Sequence, residues 1–243
     1  MKKKIASVLA ALILALSLSA CNVGYIDNTA FVNDITEQAI KAAVKIVAEL
    51  RGTTYIGSGA VYAYEQGRYY ALTNNHVAGE AGQSVLGQLI VFDCYGNPYE
   101  ARLEKASLEN DLAIVSFAEQ EGYLAAIEVL EIAKNDEKVG TEIAAIGSPE
   151  GQFNTVTLGR ILRYDKAELT GDHSGSEIEY PVICHSAVIR GGSSGGMLIN
   201  KDLQIVGINY AGGTLEETGE FVEGYAVPAE KITDFLNEQQ GEI

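Results

Sequence analysis

Glycines flank a pair of serines in Arg190-Gly191-Gly192-Ser193-Ser194-Gly195-Gly196, the stretch that says most about the fold. Glycine tolerates the backbone angles of a sharp turn, and such a turn can bring two amide N–H groups toward one point. An oxyanion could be held at that point, beside the hydroxyl of Ser194. Taken alone, the composition favours a flexible Gly/Ser loop, so other parts of the chain have to decide.

A base is the next requirement, because a serine hydroxyl is a poor nucleophile until its proton is taken. The chain has three histidines. His76 follows the apolar run Tyr69 to Leu72, where a predicted strand ends in a turn. His173 lies in a polar stretch and His185 in a predicted strand, positions more typical of surface and core histidines. His76 is therefore the candidate base.

An acid that could orient the histidine stands at the start of an apolar strand. Asp111 precedes Leu112-Ala113-Ile114-Val115, where its carboxylate could accept a hydrogen bond from an imidazole. Aspartate at a strand entry is also a common turn residue, and both interpretations stay open on this segment alone.

Together the three segments resemble the trypsin-like serine proteases, and most closely their HtrA/Deg branch. The segments are Thr73 to Ala78, Asn110 to Val115 and Gly191 to Gly196, in the chain order His, Asp, Ser of chymotrypsin. The resemblance implies two packed six-stranded β-barrels with the active site in the cleft between them. It also implies polypeptide substrates and neither a metal ion nor an organic cofactor.

The same resemblance assigns a role to each residue of the site. Ser194 would attack the scissile carbonyl, His76 would shuttle the proton, and Asp111 would fix the imidazole tautomer. The backbone N–H groups of Gly192 and Ser194 would form the oxyanion hole.

Substrate-binding residues follow from the resemblance as well. The strand Ile208-Asn209-Tyr210 would pair with the substrate backbone, and Ile189 and Arg190 would border the primary pocket. Neither Ser186 nor Ala187, where the base of the trypsin pocket falls, is acidic. A small or medium-sized apolar side chain is therefore expected in the pocket.

Short apolar strands separated by turns predict an all-β fold with a short C-terminal helix. Ile232, Phe235 and Leu236 give that last segment a helical period. Strands are predicted in the first lobe at 43–48, 55–64, 68–73, 89–94, 99–103 and 112–117, and in the second lobe at 142–146, 155–163, 180–184, 196–200, 205–210 and 224–227.

Two other functions stay open. Ser193 stands where the family usually has Asn or Asp, Gly191 where it usually has Pro, and Met197 where it often has Pro. The extra glycine freedom must be ordered before catalysis, which motivates a protease-like lipoprotein that binds peptides with little hydrolysis. A processing protease for one surface substrate would have the same triad. The oligomeric state is not predicted by any feature of the chain.

The N-terminus reads as an export signal, with Lys2, Lys3 and Lys4 followed by the apolar run Ile5 to Ala20. Its end, Leu18-Ser19-Ala20-Cys21, resembles a bacterial lipobox, which would leave Cys21 as a lipidated N-terminus anchored in the membrane. The alternatives are a plain secretory signal and a transmembrane helix, for which the run is short. The predicted organisation is a signal peptide at 1–20, a tether at 21–34, and a protease domain at 35–243 with lobes at 35–125 and 126–243.

Charge and cysteine content exclude some functions. The formal net charge is −16, and removal of the three signal lysines makes it −19, which disfavours nucleic-acid binding. Cys94 and Cys184 lack the spacing of a zinc site. On an exported chain they could form a disulfide, which the sequence does not decide.

Overall fold

The structure is a computed structural model that describes residues 28–84, 87–123, 127–167, 178–214 and 218–238. The predicted signal peptide, Cys21 and His173 lie outside these residues. Helix α1 (Thr29–Glu37) includes the last part of the predicted tether. A 3₁₀ turn at Ala39–Ala42 leads into the first strand.

Six antiparallel strands close into the first barrel in the order β1-β2-β3-β6-β5-β4. Closure pairs β1 with both β2 and β4, so that neither end of the sheet leaves an open edge. The strands are β1 (Ala43–Leu50), β2 (Thr53–Glu65), β3 (Arg68–Thr73), β4 (Gly87–Phe92), β5 (Pro98–Ser107) and β6 (Leu112–Ala118).

The second barrel has the order β10-β11-β12-β9-β8-β7 and is also closed. Each strand contributes an apolar side chain to one buried cluster, and burial of such a side chain contributes about 1.5–3 kcal/mol. These side chains are Ile143, Ile161, Ile183, Leu198, Val206 and Ala226. The strands are β7 (Glu142–Gly147), β8 (Thr155–Asp165), β9 (Val182–His185), β10 (Met197–Ile199), β11 (Ile205–Thr214) and β12 (Phe221–Pro228).

The turn between β2 and β3 shows how local sequence sets the register of a hairpin. Gln66 and Gly67 both have positive φ, 50° and 77°, which is the signature of a type I′ turn. Its backbone twist matches that of the strands, and the pairing continues from Glu65↔Arg68.

Two further helices complete the fold. Helix α2 (Asn75–Gln83) follows β3 and packs on the first barrel. Helix α3 (Ala229–Asn237) follows β12 and buries Ile232 and Phe235. Within the described residues, no helix is both long enough and apolar enough to cross a membrane.

The prediction of an all-β fold with two six-stranded barrels and a short C-terminal helix is confirmed. All twelve predicted strands are present, although their ends differ by a few residues. The structure differs at His76, which was predicted in a turn and lies in the first turn of α2. Four of the five residues from 78 to 82 are glycine or alanine, so this helix shows no clear apolar period in the sequence.

Candidate active site

His76 and Asp111 form a tight pair on the first barrel. The Nδ1 atom of His76 lies 2.7 Å from Oδ2 of Asp111, and the backbone N–H of His76 donates to Oδ1 at 3.0 Å. The Asp111 side chain is fully buried, whereas that of His76 is 30% exposed. Because the carboxylate faces Nδ1, the proton of a neutral imidazole is assigned to that nitrogen, and Nε2 is left as an acceptor.

The backbone of Asp111 is itself constrained. Its φ of 46° lies in the left-handed region, which aspartate tolerates better than most residues. The side-chain amide of buried Asn74 donates to the Asp111 carbonyl at 2.8 Å and so supports this conformation. The sequence had pointed to Asn74 only as part of a motif, since a hydrogen bond across 37 positions leaves no local pattern.

Ser194 lies in the loop between β9 and β10, where the fold brings it against the first barrel. A Cβ atom on Gly57 would be 3.1 Å from the Ser194 carbonyl and 2.6 Å from Val77, the neighbour of His76. The Ser194 hydroxyl donates to the carbonyl of Tyr210 at 3.3 Å. Ser194 and His76 are both among the described residues, and no hydrogen bond joins Ser194 Oγ to His76.

The carbonyl of Tyr210 is turned toward Ser194 by a β-bulge. In the pairing of β11 with β12, Asn209 faces Ala226 and Ala211 faces Tyr225, so Tyr210 is the extra residue. Bulges of this kind re-aim backbone and side-chain groups beside active sites.

Backbone hydrogen bonds orient the peptide units on either side of Gly192. The Gly191 carbonyl accepts from Glu150 N–H at 2.7 Å, and the Ser193 carbonyl accepts from Gly196 N–H at 2.9 Å. Since C=O and N–H of a trans peptide point in opposite directions, the N–H groups of Gly192 and Ser194 are aimed away from these partners. Neither N–H has an acceptor in the described part of the chain.

Ser58, on β2 of the first barrel, also holds this loop. Its N–H donates to the Ser194 carbonyl at 2.7 Å, and its hydroxyl donates to the Gly192 carbonyl at 2.7 Å. That hydroxyl accepts from Ser148 N–H at 2.8 Å. The sequence holds no local signal for this role, because Ser58 lies 134 positions from Gly192.

The other predicted binding residues lie around this loop. Asn209 exchanges backbone hydrogen bonds of 2.8 Å with Gly195 and Gly196, so its backbone supports the serine loop. The side chains of Ile208, Asn209 and Tyr210 are all buried. Ile189 is mostly buried and, with Val188, Thr155, Pro149 and Ser193, lines a small cavity. Arg190 is exposed and lies 3.8 Å from Glu150, a distance at which an exposed ion pair contributes little.

His185 has a supporting position. Its Nε2 atom lies 2.9 Å from Oδ1 of Asn209, and burial lowers the pKa of His185 to about 4. The imidazole is therefore neutral at pH 7, and its Nδ1 atom is buried without a partner among the described residues.

Cys94 and Cys184 are free thiols, so the disulfide that the sequence left open is not formed between them in the structure. Burial raises the pKa of Cys94 to about 11 and also raises that of Cys184. Over the ranges that the structure describes, no cluster of three His, Cys, Asp or Glu side chains could hold a metal ion.

Comparison with known proteins identifies the family of this chain. Residues 57–208 match the family model of the trypsin-like peptidase domain. The chain is 31% identical over 190 residues to the serine protease Do-like HtrA of Bacillus subtilis, covering 75% of this chain and 38% of the relative. It is 30% identical over 221 residues to human serine protease HTRA3, covering 86% and 45%.

Two solved structures are also similar. The HtrA-type protease AlgWS227A with tripeptide has a TM-score of 0.67 at 25% identity, covering 85% of this chain and 62% of that one. The active form of the Rv3671c protease of M. tuberculosis has a TM-score of 0.68 at 23% identity, covering 89% and 88%, and supports the fold. The chain spans less than half the length of the curated relatives it matches. By its strand topology, its matched domain and its HtrA relatives, this chain belongs to the trypsin-like serine protease family.

Proposed function

We propose that the protein is a serine endopeptidase that works outside the cytoplasm and cleaves polypeptides through an acyl-enzyme. The observation that carries this proposal is the His76–Asp111 pair, bonded at 2.7 Å, on the barrel that also supports the Ser194 loop. Asp111 holds the imidazole in the tautomer that leaves Nε2 as the base. Ser194 supplies the nucleophile, as its position against Gly57 and Val77 suggests.

The oxyanion of the tetrahedral intermediate is stabilised by the N–H groups of Gly192 and Ser194. Support comes from their lack of acceptors in the described residues and from the bonds that fix their peptide planes. Donors held in place before reaction stabilise developing charge without reorganisation.

Substrate enters as an extended strand beside Ile208-Asn209-Tyr210, with its side chain at Ile189 and Arg190. A substrate N–H that bonds to the Tyr210 carbonyl takes the acceptor used by the Ser194 hydroxyl. The hydroxyl then turns to His76, since catalytic hydrogen bonds often form only when substrate is bound.

A peptide-binding lipoprotein with little hydrolysis is the second candidate. The observation in its favour is the same bond from Ser194 to Tyr210, which leaves the hydroxyl away from His76. In this alternative the loop and strand β11 bind extended peptides without activating the serine.

Hydrolysis of unfolded casein, a folded protein panel and short peptides separates these functions. A protease of quality control cleaves the unfolded set broadly, and a dedicated processing protease cleaves few members of either set. Ser194→Ala should lower cleavage by about 10⁴-fold or more, because triad members act as a unit. Peptide binding by wild type with cleavage no faster than that of Ser194→Ala would support the lipoprotein instead.

Export and anchoring rest on residues 1–21, where the lipobox-like Leu18-Ser19-Ala20-Cys21 ends an apolar run. Several acyl chains on Cys21 give stable anchoring where a single chain does not. Labelled palmitate should enter the wild type and not Cys21→Ala. Equal labelling of the two proteins would contradict the anchor and leave the proposed catalytic site unaffected.

A further inference from the structure

Residues 148–154, between β7 and β8 of the second barrel, contact both the serine loop and the first barrel. We call them the bridging segment. Its first half meets Gly191 and Gly192, and its second half meets β1, β4 and the residues after β4. The inference drawn from it rests on the proposed function, because it concerns the oxyanion hole of that site.

The first half of the bridging segment supports the peptide that carries Gly192 N–H. Glu150 N–H donates to the Gly191 carbonyl at 2.7 Å, which sets the direction of the Gly192 N–H on the other side of the same peptide. Gly192 has φ 93°, and a Cβ there would lie 2.7 Å from the Ser148 carbonyl. Glycine at this position could rotate easily, so the bond from Glu150 restrains the peptide before Gly192, as the Ser58 hydroxyl restrains the peptide after it.

Glu150 is not in a relaxed conformation. Its φ of 54° and ψ of 22° lie in the left-handed region, which costs a non-glycine residue about 1–2 kcal/mol. Hydrogen bonds within the segment support this turn, since Gly151 N–H donates to the Ser148 carbonyl at 3.0 Å and Gln152 N–H donates to the Pro149 carbonyl at 2.9 Å. The first half is also attached to the first barrel, because Ser148 N–H donates to the Ser58 hydroxyl at 2.8 Å. The other end of the segment adds a second attachment.

The other end is bound to the first barrel by a cation between two aromatic rings. Lys45 Nζ lies 3.7 Å from the ring centroid of Phe153 and 4.9 Å from that of Phe92. The two rings meet edge to face, with centroids 6.3 Å apart. Next to Phe153, the Asn154 side chain donates to the Cys94 carbonyl at 2.8 Å.

Lys45 is well suited to this contact. It lies on β1 directly opposite Phe92 on β4, so the strand register fixes one side of the pair. Among the described residues, no carboxylate forms a salt bridge with Lys45, and partial burial lowers its pKa. Partly desolvated cation–π contacts are stronger than exposed ones.

We propose that Lys45 and Phe153 position the oxyanion hole: by fastening the bridging segment to the first barrel, they keep Glu150 N–H on the Gly191 carbonyl and Gly192 N–H directed at the reacting carbonyl. Lys45 is thus a positioning residue on one barrel for a catalytic donor on the other. Phe92 and Asn154 complete the contact.

The test measures kcat and KM on a peptide substrate for the full chain and its variants. Lys45→Met and Phe153→Ala should lower kcat by about 3- to 30-fold, the range that a cation–π contact of ordinary strength permits, with KM changed less than twofold. Lys45→Arg and Phe153→Tyr should restore kcat, because both keep the contact. Asn154→Ala should change kcat in the same direction without altering either ring.

A matched control is Lys231→Met, which removes a cation 5.2 Å from the Tyr180 ring and far along the chain from the bridging segment. Its kcat should match that of wild type. A second readout is binding of a peptide boronate, whose tetrahedral oxygen needs the oxyanion hole. Boronate affinity should fall in parallel with kcat in Lys45→Met. The affinity for the same peptide in a form that cannot be hydrolysed should stay constant.

Three results would overturn the proposal. The first is full kcat and full boronate affinity in Lys45→Met, and the second is a folded Lys45→Arg in which neither is restored. The third is a loss of kcat in Lys231→Met as large as that in Lys45→Met. Each of these results is obtained with an active wild type, so the proposed function survives it. An inactive wild type that also fails to bind the boronate would remove the proposed function and this inference together.

Discussion

His76 and Asp111 meet through two hydrogen bonds within the first barrel, whereas Ser194 lies in a glycine-rich loop of the second barrel and donates to Tyr210. The first region is held by buried side chains, Asn74 among them. The second is held by backbone bonds from Ser58, Glu150 and Asn209. In the proposed mechanism the base is thus positioned before substrate binds, while the nucleophile and the oxyanion donors depend on contacts from several distant segments.

Asp111→Asn, on the first-barrel side of this comparison, should have the largest effect on kcat. Asparagine also tolerates a φ of 46°, so the fold should survive, but an amide no longer selects the imidazole tautomer that leaves Nε2 as the base. We expect kcat to fall by about 10³- to 10⁴-fold with an unchanged melting temperature. A loss below tenfold, measured by peptide hydrolysis, would mean that Asp111 does not orient the base.

Gly192→Ala should have a smaller effect and tests the loop side. Its φ of 93° and the Ser148 carbonyl 2.7 Å from the new Cβ would force the loop to move. Loss of one oxyanion donor lowers turnover by about 10²- to 10³-fold. Gly191→Ala is the matched control, because its Cβ meets nothing within 4 Å, and it should hydrolyse peptides at nearly the wild-type rate. Equal losses in the two variants would argue against a specific role of Gly192.

The smallest effect is expected at His185, which supports Asn209 behind the serine loop. Burial lowers the pKa of His185 to about 4, below the unfolded value near 6.5, so the unfolded chain binds more protons as the pH falls. The free energy of unfolding is therefore unaffected by protonation of this histidine above about pH 6.5. It decreases toward pH 4, by on the order of 3 kcal/mol.

His185→Gln keeps a donor for Asn209 and cannot titrate. Urea unfolding at pH 7.5 and pH 4.5 should therefore show that the variant loses less stability than wild type over this interval. Parallel losses in both proteins would mean that His185 is protonated normally in the folded state.

Much of the fold was predictable because its signals are local. The strand lengths of β3 and β6 follow from apolar runs, and the Gln66-Gly67 turn follows from its glycine. The resemblance predicted that His76, Asp111 and Ser194 form one site. In the structure His76 and Asp111 are hydrogen-bonded, and the Ser194 carbonyl accepts from Ser58 of the first barrel.

The supporting contacts were not predictable in the same way. Ser58 reaches Gly192 across 134 positions, and Glu150 reaches Gly191 through backbone atoms that every residue possesses. The left-handed φ of Asp111 and the bulge at Tyr210 also depend on distant partners. Such features leave no periodic pattern in the chain, since they are set by the packing of the barrels.

Labelling with a fluorophosphonate tests whether Ser194 is an activated nucleophile, because this reagent reacts with a serine only when a base and an oxyanion hole activate it. The wild type, Ser194→Ala and His76→Ala are incubated with the reagent, and the adduct is located by mass spectrometry. We expect one adduct, on Ser194 of the wild type, and none on either folded variant. An unlabelled, folded wild type, or labelling that persists in Ser194→Ala, would contradict this expectation.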